Sequence, residues 1–232
     1  MHLLTKTKQQ STMNIKILFI DDHPLQVEGC KVALQSNPYG YEVTFDAAYD
    51  LTSAYKIVND EKRISDYGIV FVDKRMPAAP NLGLEDGTDL IEIIQKKAIS
   101  TKIAVLTTHT EYLILFQLTK KYDLNGLLVK SDVNSTTLAL AVHEMMQDKQ
   151  FFTRTAIECM KDMAEREHVL DFYNRRIIFY LSQGIRTKNL AELMNVSQST
   201  IEKRKAQIRD YLCIKKGGDP ELVAESRRLG LV

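Results

Sequence analysis

Short unbroken apolar runs alternate with longer amphipathic stretches through the first 150 residues. The runs fall near 15–20, 41–45, 67–72, 102–107 and 126–129 and are rich in Ile, Val, Leu and Phe. Continuous apolarity of that length marks strands covered on both faces. The intervening stretches, near 24–36, 50–60, 87–98, 111–121 and 134–149, read as helices. Pro24 suits a first helical turn, where its missing N–H is not needed. Asp50 and Asn134 are expected caps. Five such units predict an α/β doubly wound five-stranded parallel sheet with helices on both faces. From residue 151 the strand runs stop. Helices are then expected near 154–166, capped by Thr153, and over 172–183, capped by Asp171 and stopped by Gly184. Others follow near 187–194 and 198–213. Gly217-Gly218 breaks the chain, and Pro220 opens a last helix near 220–229.

A chain of 232 residues has room for two domains. Its net charge of +1 is unevenly spread. Residues 14–150 hold 14 Lys/Arg against 19 Asp/Glu, a net of −5, whereas 151–232 hold 15 against 11, a net of +4. An acidic front and a basic back predict separate tasks, the second suited to nucleic acid. The expected division is a disordered tail over 1–13, a domain over 14–150, a linker helix over 151–168 and a small all-α domain over 169–232. Cys30, Cys159 and Cys213 are far apart and in no metal-ligand spacing. They read as reduced thiols of a cytoplasmic protein. No apolar run approaches the roughly 20 residues that span a bilayer, so no membrane partner is expected.

Chemistry gathers where the strand runs end. The run 15–20 ends in Asp21-Asp22, 69–72 in Asp73, 103–106 in Thr107 and 127–129 in Lys130. In an open parallel sheet these positions meet in one crevice. Three carboxylates, a hydroxyl and an ammonium there suit a hard cation such as Mg²⁺ and a phosphoryl group. A carboxylate is also a competent nucleophile, yielding an acyl phosphate.

The stretches Ile20-Asp21-Asp22-His23-Pro24-Leu25, Val72-Asp73-Lys74-Arg75-Met76-Pro77, Leu106-Thr107 and Val129-Lys130 resemble the receiver domain of bacterial two-component response regulators, a flavodoxin/CheY-like fold. The Asp-Asp-His-Pro form resembles the subgroup with a LuxR/NarL-type helix-turn-helix output. The resemblance implies that Asp73 accepts phosphoryl from a histidine kinase. It implies that Asp21, Asp22, Asp73 and the backbone carbonyl of Arg75 hold Mg²⁺, that Lys130 pairs with the phosphate, and that Thr107 swings toward it. Three features depart from the pattern. Leu127 stands where the family usually has an aromatic switch residue. The loop from Asp73 to Gly87 is longer than usual, so residues 78–86 are expected to form a larger rim. Thr108 replaces a smaller residue.

In the basic half, Ser182-Gln183-Gly184-Ile185-Arg186-Thr187-Lys188-Asn189-Leu190-Ala191 resembles the first part of a LuxR-type helix-turn-helix. Asn195-Val196-Ser197-Gln198-Ser199-Thr200-Ile201 resembles its turn and the start of its recognition helix. Leu190, Leu193, Met194, Val196, Ile201 and Ile208 are the expected core. Lys203, Arg204, Lys205 and Arg209 are expected to face outward, with Lys203 and Arg204 in the groove of double-stranded DNA. Arg186 and Lys188 are expected at phosphates, and Thr200 completes the DNA-binding set. Glu202 reads as closing a capping box with Ser199. Asn174 stands where relatives usually have glutamate.

By resemblance the chain is a response regulator that forms a homodimer when phosphorylated, with no enzymatic activity beyond Mg²⁺-dependent autophosphorylation and autodephosphorylation at Asp73. A constitutive DNA-binding protein with a degenerate receiver switch is the alternative. A phosphatase acting on small esters is disfavoured, because Arg75 occupies the place of the second, acid/base aspartate.

Overall fold

The computed structural model describes residues 13–214, 217–229 and 231–232. The expected tail over 1–13 lies almost wholly outside the described residues. Contacts divide the chain into two compact units, residues 1–110 with 118–157 and residues 111–117 with 158–232.

The first unit is built on a parallel sheet of order β2-β1-β3-β4-β5-β6. Its strands are β1 (Met13–Ile20), β2 (Tyr41–Ala48), β3 (Ile69–Asp73), β4 (Lys102–Thr107), β5 (Gly126–Val129) and β6 (Phe151–Phe152). The helices along this stretch of sequence are α1 (Pro24–Gln35), α2 (Leu51–Val58), α3 (Glu61–Ser65), α4 (Asp89–Lys97), α5 (Tyr112–Lys121) and α6 (Ser135–Met146), of which α5 belongs to the second unit as far as residue 117. Alternate residues of each strand serve opposite faces. Ile17, Phe19, Ile69, Phe71, Ala104 and Leu128 join Val27 and Leu34 of α1 and Leu138 and Val142 of α6 in one cluster. Phe19 stacks on Phe71 with ring centroids 5.0 Å apart. Helix α2 meets β2, and α2, α3 and α4 pack on one another.

Asp50 and Asn134 cap α2 and α6, accepting from the N–H groups of Ser53 and Thr137. Two details differ from the sequence pattern. The single helix expected over 50–60 is two, because the Asp60 carboxylate accepts from Lys62 and Arg63 N–H and starts α3 afresh. The five expected strands gain a sixth, a two-residue edge. Phe151 N–H donates to the Asn125 carbonyl at 2.8 Å and Thr153 N–H to that of Leu127 at 3.0 Å.

The helix α7 (Arg154–Arg166) follows β6. The hydroxyl of the expected cap Thr153 instead accepts from Val129 N–H. The distant Asp132 takes over, accepting from Thr155 N–H at 2.8 Å and its hydroxyl at 3.0 Å.

In the second unit, α8 (Phe172–Ser182), α9 (Thr187–Leu193), α10 (Gln198–Tyr211) and α11 (Asp219–Arg228) bury Ile177, Ile178, Leu190, Met194, Ile201, Ile208 and Leu222. Asp171 caps α8 through Asn174 N–H. Gly184 (φ 78°) and Asn195 (φ 52°) end α8 and α9 in left-handed turns, each followed by a backbone bond back to the helix. Leu193, expected in the core, is 50% exposed, and Val196 is half-buried. Ser197 rather than Ser199 caps α10, accepting from Thr200 N–H at 3.1 Å. Glu202 closes no box with Ser199; its carboxylate stands 3.7 Å from the Lys205 ammonium.

Candidate functional site

The sheet order reverses at β1, which pairs with both β2 and β3. A crevice opens at the carboxyl ends of such strands. Register explains why the reactive residues stand level: Ile20 is opposite Val72, Asp73 opposite Leu106 and Thr107 opposite Val129. Asp21 and Asp22 follow β1, Asp73 ends β3, Thr107 ends β4 and Lys130 follows β5.

Lys130 Nζ lies 2.7 Å from Asp73 Oδ2 and 2.9 Å from Asp21 Oδ2. Their remaining oxygens are met by backbone. Asp73 Oδ1 accepts from Arg75 N–H at 3.0 Å, and Asp21 Oδ1 from His23 N–H at 2.9 Å. Both carboxylates are buried. Burial alone would lower the Lys130 pKa, but its hydrogen bonds to Asp73 and Asp21 outweigh this and hold it above the ordinary lysine value. Nearby, burial and then the Asp21 charge push the Cys30 thiol up to about 11. Thr107 is fully buried, and its hydroxyl accepts from His109 N–H at 3.0 Å. Leu127 is buried within β5, and Thr108 is exposed.

Three carboxylates bear a formal −3 against +1 on Lys130, an excess of −2 that calls for a cation. Ligand atoms of Asp21, Asp22, His23 and Asp73 lie within 4.8 Å of one another. Asp22 Oδ1 is buried with no hydrogen bond, since His23 Nδ1, 2.9 Å away, lacks the alignment for one. An orphaned carboxylate oxygen beside two more acids is a hard donor set, and it fits Mg²⁺. His23, to which the sequence reading gave no role, belongs to this cluster. Its position two residues after Asp21 was the available signal.

The loop after β3 is ordered. Lys74 N–H donates to the Leu106 carbonyl, Pro80–Leu82 forms a 3₁₀ turn, and Lys74 pairs with Asp86. Burial disfavours the charged Asp86 carboxyl, yet the bonds from Lys74 and Thr88 prevail and hold it below the usual carboxylate range.

The basic residues of the second unit divide into two kinds. Arg186, Lys188 and Lys203 are exposed. Thr200 is half-buried and hydrogen-bonds the Ser197 hydroxyl at 2.8 Å. Arg204 Nη1 reaches Asp171 at 2.8 and 3.0 Å and the Asn174 side-chain oxygen at 3.0 Å, with its guanidinium over the Tyr173 ring. The buried Asn174 thus takes part in a network between α8 and α10. Lys205 is corrected outright. Only 4% exposed, its ammonium lies 2.6 Å from Asp219 Oδ1 and 2.7 Å from the Thr187 hydroxyl. It stands between Ile201 and Ile208 on the core stripe of α10. Arg209 Nη2 adds a looser contact to Asp219 at 3.5 Å.

A doubly wound parallel sheet with an acidic cluster and a lysine at its carboxyl edge defines a receiver-type module. The family model described as the response regulator receiver domain matches residues 17–143, and the chain belongs to that family. The nitrate/nitrite response regulator protein NarP of Escherichia coli K12 is 25% identical over 203 residues, covering 85% of this chain and 86% of NarP. RcsB of Salmonella enterica serovar Typhimurium, bound to promoter rprA with the phosphomimetic BeF3⁻, is 20% identical. That match covers 91% of this chain and 98% of RcsB, with a TM-score of 0.65. The isolated receiver domain of RcsB with BeF3⁻ is 24% identical, covering 63% of this chain and 99% of its own, at a TM-score of 0.53.

Proposed function

We propose that the chain is a two-component response regulator, in which phosphorylation of Asp73 by a histidine kinase governs binding of double-stranded DNA and so transcription. The observation that carries this reading is Lys130 Nζ held between Asp73 and Asp21 at 2.7 and 2.9 Å, beside the orphaned Asp22 oxygen. The receiver comprises 14–150, to which β6 adds an edge, followed by a linker helix to 168 and a DNA-binding domain over 169–232.

Asp21, Asp22, Asp73 and the Arg75 carbonyl would hold the cation. Mg²⁺, when bound, supplies positive charge that offsets the clustered acids and the incoming phosphoryl oxygens. An Asp73 carboxylate oxygen attacks phosphorus of the kinase phosphohistidine. The P–N bond breaks, and its electrons return to the imidazole. Lys130 then exchanges its contact with Asp73 for one with a phosphoryl oxygen, and Thr107 answers the added charge. The chain's own chemistry is limited to gaining and losing this group.

DNA contact is assigned to Lys188, Thr200, Lys203, Arg204 and Arg209, with Lys205 withdrawn. Arg204 would have to exchange Asp171 for a DNA group. NarP by name, and RcsB in its promoter complex, support a regulator of this kind. Assembly is expected as a homodimer when phosphorylated. Among the described residues no helix is long and apolar enough to cross a membrane. The free cysteines support a reducing cytoplasm.

The test is labelling with acetyl phosphate and Mg²⁺. The wild-type chain gains one acid-stable, base-labile phosphoryl group, and Asp73→Asn gains none. Equal labelling of Asp73→Asn refutes the assignment. The buried Leu127 favours a second reading, a constitutive DNA-binding protein, because no aromatic ring is present there to change exposure.

A further inference from the structure

Residues 74–87 leave the strand of Asp73 and return to the same point. Gly87 N–H donates to the Lys74 carbonyl at 3.2 Å, so the loop ends meet. The closure is tight, because a Cβ at Gly87 would fall 1.9 Å from the Asp73 carbonyl oxygen. A side-chain tie lies beside it. Lys74 Nζ donates to Asp86 Oδ2, while Asp86 Oδ1 accepts from Thr88 N–H at 2.8 Å. Farther out, Ala79 and Leu84 exchange backbone hydrogen bonds of 2.8 and 3.3 Å. Met76, Ala79 and Leu84 are buried. The loop is therefore a small closed hairpin seated on the phosphoacceptor backbone.

We propose that the Lys74–Asp86 ion pair is a staple that keeps this hairpin seated at the rim of Asp73 and thereby sets the lifetime of its acyl phosphate. The inference rests on Asp73 being the phosphoacceptor. Loss of the group needs water at phosphorus. The water oxygen bonds phosphorus as the P–O bond to Asp73 breaks, its electrons staying on the carboxylate. One water proton stays on the released hydrogen phosphate and the other goes to solvent. The Asp73 side chain is only 2% exposed, and its backbone carbonyl is the surface on which the returning end of the loop sits, so loosening the loop is the route we assign to water. Lys74 and Asp86 touch none of the reacting atoms. They are positioning residues, and they act through how often the loop opens.

Lys74→Met removes the tie and leaves the bond of Asp86 to Thr88 intact. With full-length protein labelled by acetyl phosphate and then freed of donor, the half-life of the phosphoryl group should fall by about threefold to fivefold, the worth of one partly exposed pair. Amide exchange at Ala79 and Leu84 should quicken by about the same factor, with the unfolding temperature lowered by no more than about 4 °C. Lys74→Arg, which keeps the charge, should restore both. The proposal is overturned by an unchanged half-life in Lys74→Met, by unchanged exchange at Ala79 and Leu84, or by Lys74→Arg behaving like Lys74→Met. A fall in unfolding temperature of more than about 4 °C, the mark of a general loss of stability, also overturns it. Absence of any label on the wild-type chain refutes the Asp73 assignment itself, and the inference with it.

Discussion

Lys205 shows how burial decides the task of a charge. Its ammonium reaches Asp219 and the Thr187 hydroxyl, tying α10 to α11 and α9. Lys205→Met would leave Asp219 without its nearest cation, at an expected loss of about 1–3 kcal/mol for the second unit. Urea unfolding of the full chain reads this; equal stability of variant and wild type would remove the ammonium from the list of structural groups. The pH dependence has a definite sign. Burial works against the charged Asp219 carboxyl, but its bonds from Lys205 and Thr187 hold it below the ordinary aspartate range. A depressed folded pKa contributes stability above the unfolded value and loses it as pH falls through the folded one. The gap between wild type and Lys205→Met should therefore close below about pH 4. Cys30 offers a second residue-scale check. With its thiol pushed up to about 11, it should alkylate far more slowly at pH 8 than the exposed Cys213. Peptide mapping after timed iodoacetamide treatment measures the two rates, and equal rates would contradict the burial argument. The acids and Lys130 were legible because each ends an apolar run. Lys205 was legible too, four residues after Ile201 and three before Ile208, but its charge hid a core position. The partners of Arg204 were not legible, since Asp171 and Asn174 lie on another helix.

Elements were readable to the extent that their cause is local. Runs of Ile, Val and Phe gave β1, β3 and β4, and the capping carboxylate of Asp50 gave the start of α2. The start of α3 was missed, though Asp60 carries the same local signal at a point where the helical pattern runs on. By contrast, β6 has no signal of its own. Two phenylalanines carry no period, and the strand exists because the carbonyls of Asn125 and Leu127 lie within reach. The cap of α7 comes likewise from Asp132, 23 residues before Thr155. Asp132→Ala should cost about 1 kcal/mol and speed amide exchange at Thr155, while leaving α8 to α11 untouched. Wild-type exchange at Thr155 would show that Thr153 caps this helix unaided. The seating of α4 is stricter. Gly87→Ala places a methyl group 1.9 Å from the Asp73 carbonyl oxygen, so backbone must move. A loss of about 1–3 kcal/mol is expected, together with weaker labelling of Asp73. Thermal unfolding and labelling of one sample test both; a fully labelled, fully stable variant would mean that the loop yields freely.

At the scale of the whole molecule the question is whether phosphorylation and DNA binding share a free energy. Effects of this kind run to about 1–3 kcal/mol, or about 5–150-fold in affinity. The buried Leu127 removes one familiar reporter, so any coupling must use other groups, with Thr107 and Lys130 at the site the first candidates. Affinity for a genomic fragment pool, measured with and without beryllofluoride, should rise within that range for wild type and stay constant for Asp73→Asn. Salt separates the routes to that gain. Each phosphate neutralised adds about 0.9 to the slope of log affinity against log salt. Recruitment of a second chain to the same DNA would therefore steepen the slope about twofold on modification. Release of a pre-existing DNA surface would raise affinity without doubling the slope. Lys203→Ala should lower the slope by about 1 per chain in either case and leave stability within about 0.5 kcal/mol, because its ammonium is exposed. Lys205→Met should leave the slope unchanged in samples that remain folded. Identical affinities with and without beryllofluoride, at every salt concentration, would decide for the constitutive reading and sever the acidic crevice from the basic helices.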